Sequence, residues 1–448
     1  MTASRATESL PRPSGAASRS LARTSAVVGI NWGDEGKGRM VDYLAQEADV
    51  VVRYQGGNNA GHTVVNSYGE FKLHLVPAGV FNQRALNVLG PGMVVDLEGL
   101  VDELESLSAA GVSAWENVRV SDRAAVCFPF HRLEDELEEE RLSERPYGST
   151  RRGIAPAYGD RYLKKAIQVG ELVEGEAWLR ERIAWVVEWK AGLLRRRYGV
   201  DPAALVEETV AWTLEYGRRI APLVCDTTQL LRTALRDGSK ILFEAQLGAL
   251  RDVFFGTYPM TTSSNCLASY APVGSGLYGL PERVVGVVKA FSTCVGEGPF
   301  VTEMDPREAA DLREVSNEYG AATGRPRRIG HFDAVASRYG VAVQGANELA
   351  LTKLDSLSGR RELLIATAYD VDGSRLSSFP LNPQLERATP VYERVPGWEE
   401  DVSGVRRYAD LPAAAQAYVE RIEELVDCEI RYVSVGPERD ALIDRRLS

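Results

Sequence analysis

The sequence predicts an α/β fold: a large, mainly parallel central sheet, helices on both sides, and long loop excursions. Three observations predict it. Short apolar runs of strand length recur along the chain and alternate with helical stretches, the pattern of strand–helix–strand units. Two glycine-rich loops directly follow apolar runs near the start. No internal repeat and no interdomain linker interrupts the 448 residues, so residues 26–448 read as one large domain behind a tail of residues 1–25.

The tail is rich in Ser, Arg and Ala with one acid, Glu8. That composition suits a disordered segment, with a transit peptide as the alternative. The first strand is expected over residues 26–30 (AVVGI), running into the loop Asn31–Gly38. A helix should follow from Lys37 to Gln46, and a second strand over Asp49–Tyr54. Two alternating runs, His62–Asn66 and Phe71–Val76, straddle Ser67-Tyr68-Gly69-Glu70 and predict a hairpin. The middle reads as helical, over Phe130–Leu142 and Glu176–Arg197, with charged faces turned to solvent. Strand runs return at Lys240–Phe243, Val284–Phe291, Leu349–Leu354 and Ile430–Val435, and Ala413–Val426 has the spacing of an amphipathic helix.

Composition narrows the function. The net charge of −11 argues against a broad nucleic-acid surface. No run reaches the roughly 18 apolar residues of a membrane helix. The five cysteines are scattered and form no CxxC, which points to reduced thiols in the cytoplasm. The four histidines have no metal-motif spacing, leaving carboxylate-held Mg²⁺ as the metal to expect.

The stretch VVGINWGDEGKG, Val27 to Gly38, lies between a strand and a helix. Glycines there let backbone N–H groups approach an anion, and the helix N-terminus adds a favourable dipole. The spacing is not that of a P-loop. Lys37 offers a point charge. Asp34 would repel a phosphate unless a cation lies between them, so it is a candidate Mg²⁺ ligand, a base, or both. The second loop, QGGNNAGHT from Gln55 to Thr63, is polar and contains His62. Far along the chain, LALTKLD ends a strand on Lys353 and Asp355. A carboxylate there can accept from both N1–H and the exocyclic amine of guanine, which adenine cannot match. A lysine stem can lie over the base. The later run VSVGP, Val433 to Pro437, is another loop at a strand C-terminus, where ligands of parallel sheets collect.

Together WGDEGKG, RYQGGNNAGHT, HLVPAG, GTYPMTTSSN, TGRPRR, TKLD and SVGPERD, in this order, resemble the adenylosuccinate synthetase family from about Val27 to Asp440. The resemblance implies a fold related to the P-loop NTPases. It also implies a two-step reaction: IMP loses its N1 proton, its 6-oxygen takes the γ-phosphoryl group of GTP, and aspartate's amine displaces phosphate. By that resemblance Asp34 is the base and a Mg²⁺ ligand, the Gly61 carbonyl a second ligand, and His62 the acid beside the phosphoryl group. Gly33, Glu35, Gly36, Lys37 and Gly38 meet the GTP phosphates. Lys353, Asp355, Ser434 and Gly436 form the guanine pocket. Gln55, Asn59, Thr150, Gln246 and Thr262 contact the nucleotide substrate, and Lys164 reaches it from the partner of a homodimer. Thr323, Arg325 and Arg327 hold aspartate's carboxylates.

The chain also departs from the family's pattern. Where members read FEGAQG, residues 243–248 read FEAQLG. Either Leu247 takes the place of a glutamine at the purine edge or Gln246 does so through compensating gaps; both readings stay open. Thr-Thr becomes Ala322-Thr323, TGRGIGP becomes TRRGIAP (Thr150 to Pro156), an Arg becomes Lys164, STRVG becomes STCVG with Cys294, and a Trp becomes His331. These changes cluster at the acceptor and aspartate. They set an ordinary synthetase beside two alternatives: a paralogue using the same activation on another nucleotide or amine, and a non-catalytic GTP-binding protein. Retained Asp34 and His62 speak against the last.

Overall fold

The computed structural model describes residues 22–144, 146–320 and 324–447. Its centre is a sheet of ten strands: β1 (Thr24–Gly29), β2 (Val50–Arg53), β3 (Leu86–Leu89), β4 (Val118–Ser121), β5 (Val224–Cys225), β6 (Ile241–Glu244), β7 (Arg283–Lys289), β8 (Glu348–Thr352), β9 (Ile430–Ser434) and β10 (Leu442–Asp444). They lie in the order β10-β9-β8-β7-β1-β6-β2-β3-β4-β5. Every neighbouring pair is parallel except β9 with the edge strand β10.

The strands are apolar on both faces because both faces are covered. Val27, Val51, Leu242 and Val285 pack on one side with Met40, Val41 and Leu44 of helix α1 (Lys37–Leu44). Ala26, Val28, Val52, Phe243 and Val284 pack on the other, as the period-2 alternation of a strand requires. A second apolar cluster joins Leu349, Leu351 and Val433 to Val419 and Ile422 of the helix Ala413–Val426. A four-stranded excursion is built mainly on the antiparallel pair Arg360–Val371 and Ala388–Trp398.

Three boundaries differ from the sequence reading. β1 starts at Thr24, so Thr24 and Ser25, assigned to the tail, belong to the sheet; Ser25 pairs with Leu242 and Arg283. Residues 1–21 of that tail lie outside the described residues. The hairpin closes more tightly than expected. Asn66 pairs with Gly69, leaving the two-residue turn Ser67-Tyr68, a length that matches strand twist. Leu75 and Val76 enter the core instead of extending the ladder. The helix from Glu176 keeps α geometry only to Leu193, then widens into a π turn that Gly199 ends with φ 69°.

β1 is the pivot. The chain leaves it through α1 and returns two places away in β2, with β6 inserted between. The loops after β1, β2, β6, β7, β8 and β9 therefore all open at one edge of the sheet, the C-terminal edge where parallel sheets bind ligands.

Candidate active site

The loop after β1 is organised by its own acid. Glu35 is buried, and its Oε1 accepts from the backbone N–H groups of Asn31 (3.1 Å) and Gly33 (2.9 Å), while Oε2 accepts from Lys37 Nζ at 2.7 Å. A Cβ at Gly29 or Gly248 would come within 2.6 Å of this carboxylate, so both glycines make room for it. The bend itself needs Gly33 (φ 103°) and Gly36 (φ 97°), and Asp34 shares the left-handed region at φ 60°. Glu35 thus turns inward, and only its backbone faces a ligand. Gly38 serves close packing: a Cβ there would sit 2.7 Å from the His62 Cβ. The hairpin can consequently lay His62 against the first turn of α1.

His62 is oriented from beneath. Glu244, the last residue of β6, is fully buried and binds His62 Nδ1 through Oε1; its Oε2 accepts from the Ala78 N–H at 2.8 Å. Burial holds the imidazole below its ordinary pKa, although the Glu244 bond works against that shift. Nε2 is buried with no partner. A buried polar atom without a partner costs about 1–3 kcal/mol, which a ligand that bonds Nε2 would relieve.

Asp34 meets a chain of charges. Its Oδ2 accepts from Arg327 Nε at 2.9 Å; Arg327 Nη1 reaches Glu318 Oε2 at 2.6 Å, and Lys289 Nζ reaches the same oxygen at 2.6 Å. Burial pushes the Asp34 carboxyl up, but Arg327, Lys289 and Lys37 outweigh it and hold the group below its usual pKa. Asp34 is therefore ionised at neutral pH. Burial brings Lys289 down to about 8 despite Glu318.

The ends of β8 and β9 are tied to the first loop and to α1. Thr352 Oγ1 donates to the Glu35 carbonyl at 2.7 Å, tying the end of β8 to the first loop. Arg39 of α1 binds Ser434 Oγ and donates to the Glu438 carbonyl at 2.7 Å, tying in the end of β9. Ser434 Oγ donates to the Gly436 carbonyl at 3.2 Å. Lys353, at φ 64°, donates to the Ser316 carbonyl at 2.7 Å. Asp355 Oδ1 is buried without a partner, an acceptor left for a donor that the protein does not supply.

On the other side of Asp34 a cavity of about 480 Å³ is lined by Asp34, Asn59, Gly61, Thr150, Leu247 and Thr262, among others. Loop 147–153 is held to this wall by helix α2 (Pro129–Leu142). Glu139 accepts the N–H groups of Tyr147 (3.1 Å) and Gly148 (3.2 Å), and Asp135 accepts from Ser149 Oγ (2.7 Å) and the Gly153 N–H (2.9 Å).

A charged loop, an oriented histidine, an unpartnered carboxylate oxygen and a cavity lined by Asp34 thus lie on loops that open at the C-terminal edge of the sheet. A family profile described as adenylosuccinate synthetase matches residues 26–443. The chain belongs to the adenylosuccinate synthetase family. It is 51% identical over 421 residues to adenylosuccinate synthetase 2 of Pseudoalteromonas translucida (strain TAC 125), covering 94% of this chain and 99% of that one. It is 44% identical to adenylosuccinate synthetase of Exiguobacterium sp. (strain ATCC BAA-1283 / AT1b), covering 93% and 97%. A solved structure of fully ligated adenylosuccinate synthetase from Plasmodium falciparum superposes with a TM-score of 0.89 at 32% identity, over 95% of this chain and 100% of that chain. The adenylosuccinate synthetase activity, GTP-dependent condensation of L-aspartate with IMP by a C–N ligase, is accordingly this chain's.

Within this adenylosuccinate synthetase frame two acceptor assignments need correction. Gln246 does not face the cavity. It is fully buried, with Nε2 donating to the carbonyls of Gly57 (2.5 Å) and His74 (3.3 Å) and Oε1 accepting from the Gly57 N–H (3.3 Å). A Cβ at Gly56 would overlap Oε1 at 2.0 Å, so the second glycine loop is shaped around this amide. Leu247, at φ 57°, takes the cavity wall, and the ungapped alignment holds. Gln55 is also fully buried; its amide donates to the Gln246 carbonyl at 2.9 Å and its Oε1 accepts from Ser264 Oγ at 2.8 Å. Both glutamines shape the loop. Lys164, exposed at φ 63°, lines no part of this cavity. Arg325 is exposed, Arg327 pairs with Asp34, and Thr323 lies outside the described residues. The reading of the sequence missed Glu244, Lys289 and Glu318. An acid and a lysine each ending a buried apolar strand were the available signals for the first two; Glu318, in a run of ordinary polarity, gave none.

Proposed function

We propose that Asp34 and His62 carry out the phosphoryl step of this ligation. Asp34 takes the N1 proton of IMP, and the electron pair freed raises the nucleophilicity of the 6-oxygen. That oxygen attacks the γ-phosphorus of GTP, the bond to the bridging oxygen breaks, and GDP leaves. His62, held by Glu244, hydrogen-bonds the phosphoryl group through Nε2. Aspartate's amine then adds at C6, the C–O bond breaks, and phosphate departs with the 6-oxygen. Activation is needed because oxide is a poor leaving group, and the protein's share is positioning and charge neutralisation. The observation that carries the reading is the buried, unpartnered Nε2 of His62, whose Nδ1 is bound by the buried Glu244.

The donor set suits Mg²⁺. Asp34 and the carbonyl of Gly61 lie on the cavity wall as hard oxygen donors, and no group of three or more His, Cys, Asp or Glu gathers among the described residues. Mg²⁺ is commonly held by one or two carboxylates plus substrate phosphates. When bound it would supply charge neutralisation to the phosphates. GTP is placed with its phosphates on the loop Gly33–Gly38 and its base against Lys353, Asp355, Ser434 and Gly436. Asn59, Thr150 and Thr262 hold IMP, and Arg325 and Arg327 receive aspartate with Thr323. We place the protein in the cytoplasm as a homodimer in which Lys164, flanked by exposed Tyr162 and Leu163, reaches the partner's nucleotide.

The test is isotopic. IMP carrying ¹⁸O at the 6-position is incubated with protein, Mg²⁺, GTP and aspartate, and the products are weighed by mass spectrometry. The label should appear in phosphate, with adenylosuccinate and GDP in equal amounts. Label released into water instead of phosphate would refute 6-phosphorylation. Leu247 favours a wider acceptor range, because an apolar side chain at the wall makes no hydrogen-bond demand on the base; a panel of other 6-oxo nucleotides in the same assay measures it.

A further inference from the structure

Among the described residues, Arg251 is the only Lys or Arg that lines the acceptor cavity. It is buried, and no carboxylate lies within ion-pair distance of it among the described residues. The adjacent Asp252 is already engaged by the N–H groups of Phe254 (2.9 Å), Phe255 (3.1 Å) and Cys266 (2.6 Å). The guanidinium is instead surrounded by dipoles. Nη1 donates to the carbonyls of Met260 and Glu297, the latter at 3.2 Å, and Nη2 to the Val295 carbonyl at 2.7 Å and to Cys294 Sγ at 3.0 Å. Its backbone carbonyl accepts the Thr262 N–H at 2.9 Å.

These contacts converge on the wall. Met260 and Thr262 belong to one lining segment, Val295 and Gly296 to another. A third follows them, because a Cβ at Gly148 would lie 3.1 Å from the Glu297 N and the Gly296 Cα. The segment that carries Thr262 is therefore tied directly to one guanidinium, and the segment that carries Thr150 packs on residues 296–297, which the same guanidinium holds. Burying a cation without a carboxylate is costly unless its hydrogen bonds are met. Here they are met by groups whose positions define the cavity.

We propose that Arg251 is the positioning residue of the acceptor-nucleotide wall. It clamps segments 260–262 and 294–297 so that Thr150 and Thr262 are set before the nucleotide arrives, and it shields the Cys294 thiol. The clamp rests on the reading that this cavity takes IMP. The planar fork, with donors in fixed directions, is what holds several carbonyls at once; a lysine offers a point charge without that geometry.

The test compares wild type, Arg251→Ala and Arg251→Lys. Loss of charge-assisted bonds should raise KM for IMP about tenfold or more, leave KM for GTP within about twofold, and be reversed in Arg251→Ala by added millimolar guanidinium but not ammonium. Arg251→Lys should stay close to Arg251→Ala. Maleimide labelling, read on the Cys294 peptide without any substrate, should be faster in both variants than in wild type. Equal losses for all three substrates, no guanidinium rescue and unchanged Cys294 labelling would overturn the clamp. Wild type that does not turn over IMP would instead overturn the acceptor reading, and Cys294 labelling alone would then decide the clamp.

Discussion

The surroundings of Asp34 and the cavity proposed for the acceptor are held together by different forces. Around Asp34 formal charges do the holding: Glu35 with Lys37, Glu318 with Lys289 and Arg327, Arg327 with Asp34. Around the proposed acceptor cavity backbone dipoles do it: Gln246 on the carbonyls of Gly57 and His74, Arg251 on those of Met260, Val295 and Glu297. Phosphoryl transfer requires charge placed before reaction, and buried ion pairs fix it. A nucleoside pocket requires shape, and hydrogen bonds to main chain fix that. A change of side chain on the first side should therefore remove chemistry or stability, whereas a change on the second should shift affinity.

That contrast can be broken in steps. The largest effect belongs to His62. His62→Ala should lower kcat by about 10²–10⁴ in the coupled assay while GTP binding by calorimetry persists; a loss confined to KM would place the residue with the acceptor group. Next is Glu318→Gln, which leaves Lys289 and Arg327 as buried cations short of a carboxylate. Breaking a buried pair costs about 3–5 kcal/mol, to be read by denaturant unfolding, and a cost near zero would mean that the network is not the holding force on this side. Smaller is Asp355→Asn. An amide in place of the carboxylate should reduce discrimination between GTP and ATP by about 1–3 kcal/mol, measured as the ratio of kcat/KM; an unchanged ratio would remove the pocket assignment.

Much of the architecture around Asp34 was legible in the sequence because its signals are local. A glycine loop between strand and helix, an acid inside it, and a Lys-Leu-Asp at a strand end can each be read within a few residues. The sheet was legible for the same reason: Ile241–Phe243 of β6 and Leu349–Leu351 of β8 are short apolar runs. The acceptor side was harder to read because its roles depend on contacts distant in sequence. Whether residue 246 or 247 lines the cavity is decided by the fit of the Gln246 amide into the loop at Gly56 and Gly57, some 190 residues earlier (the Gly57 bond spans 189). Arg251 looks like an ordinary surface arginine until residues 294–297 are folded over it. Glu35 shows the converse. The motif places it in the loop after β1, and only the structure shows its carboxylate facing inward to hold the loop's own N–H groups.

The account stands on Asp34 as an ionised base whose charge was placed in advance. The direct measurement is Asp34→Asn, with turnover followed by mass spectrometry and GTP affinity by calorimetry on the same preparation. Adenylosuccinate formation should fall by at least about 10² while GTP still binds to the folded protein. Turnover at the wild-type rate would contradict it.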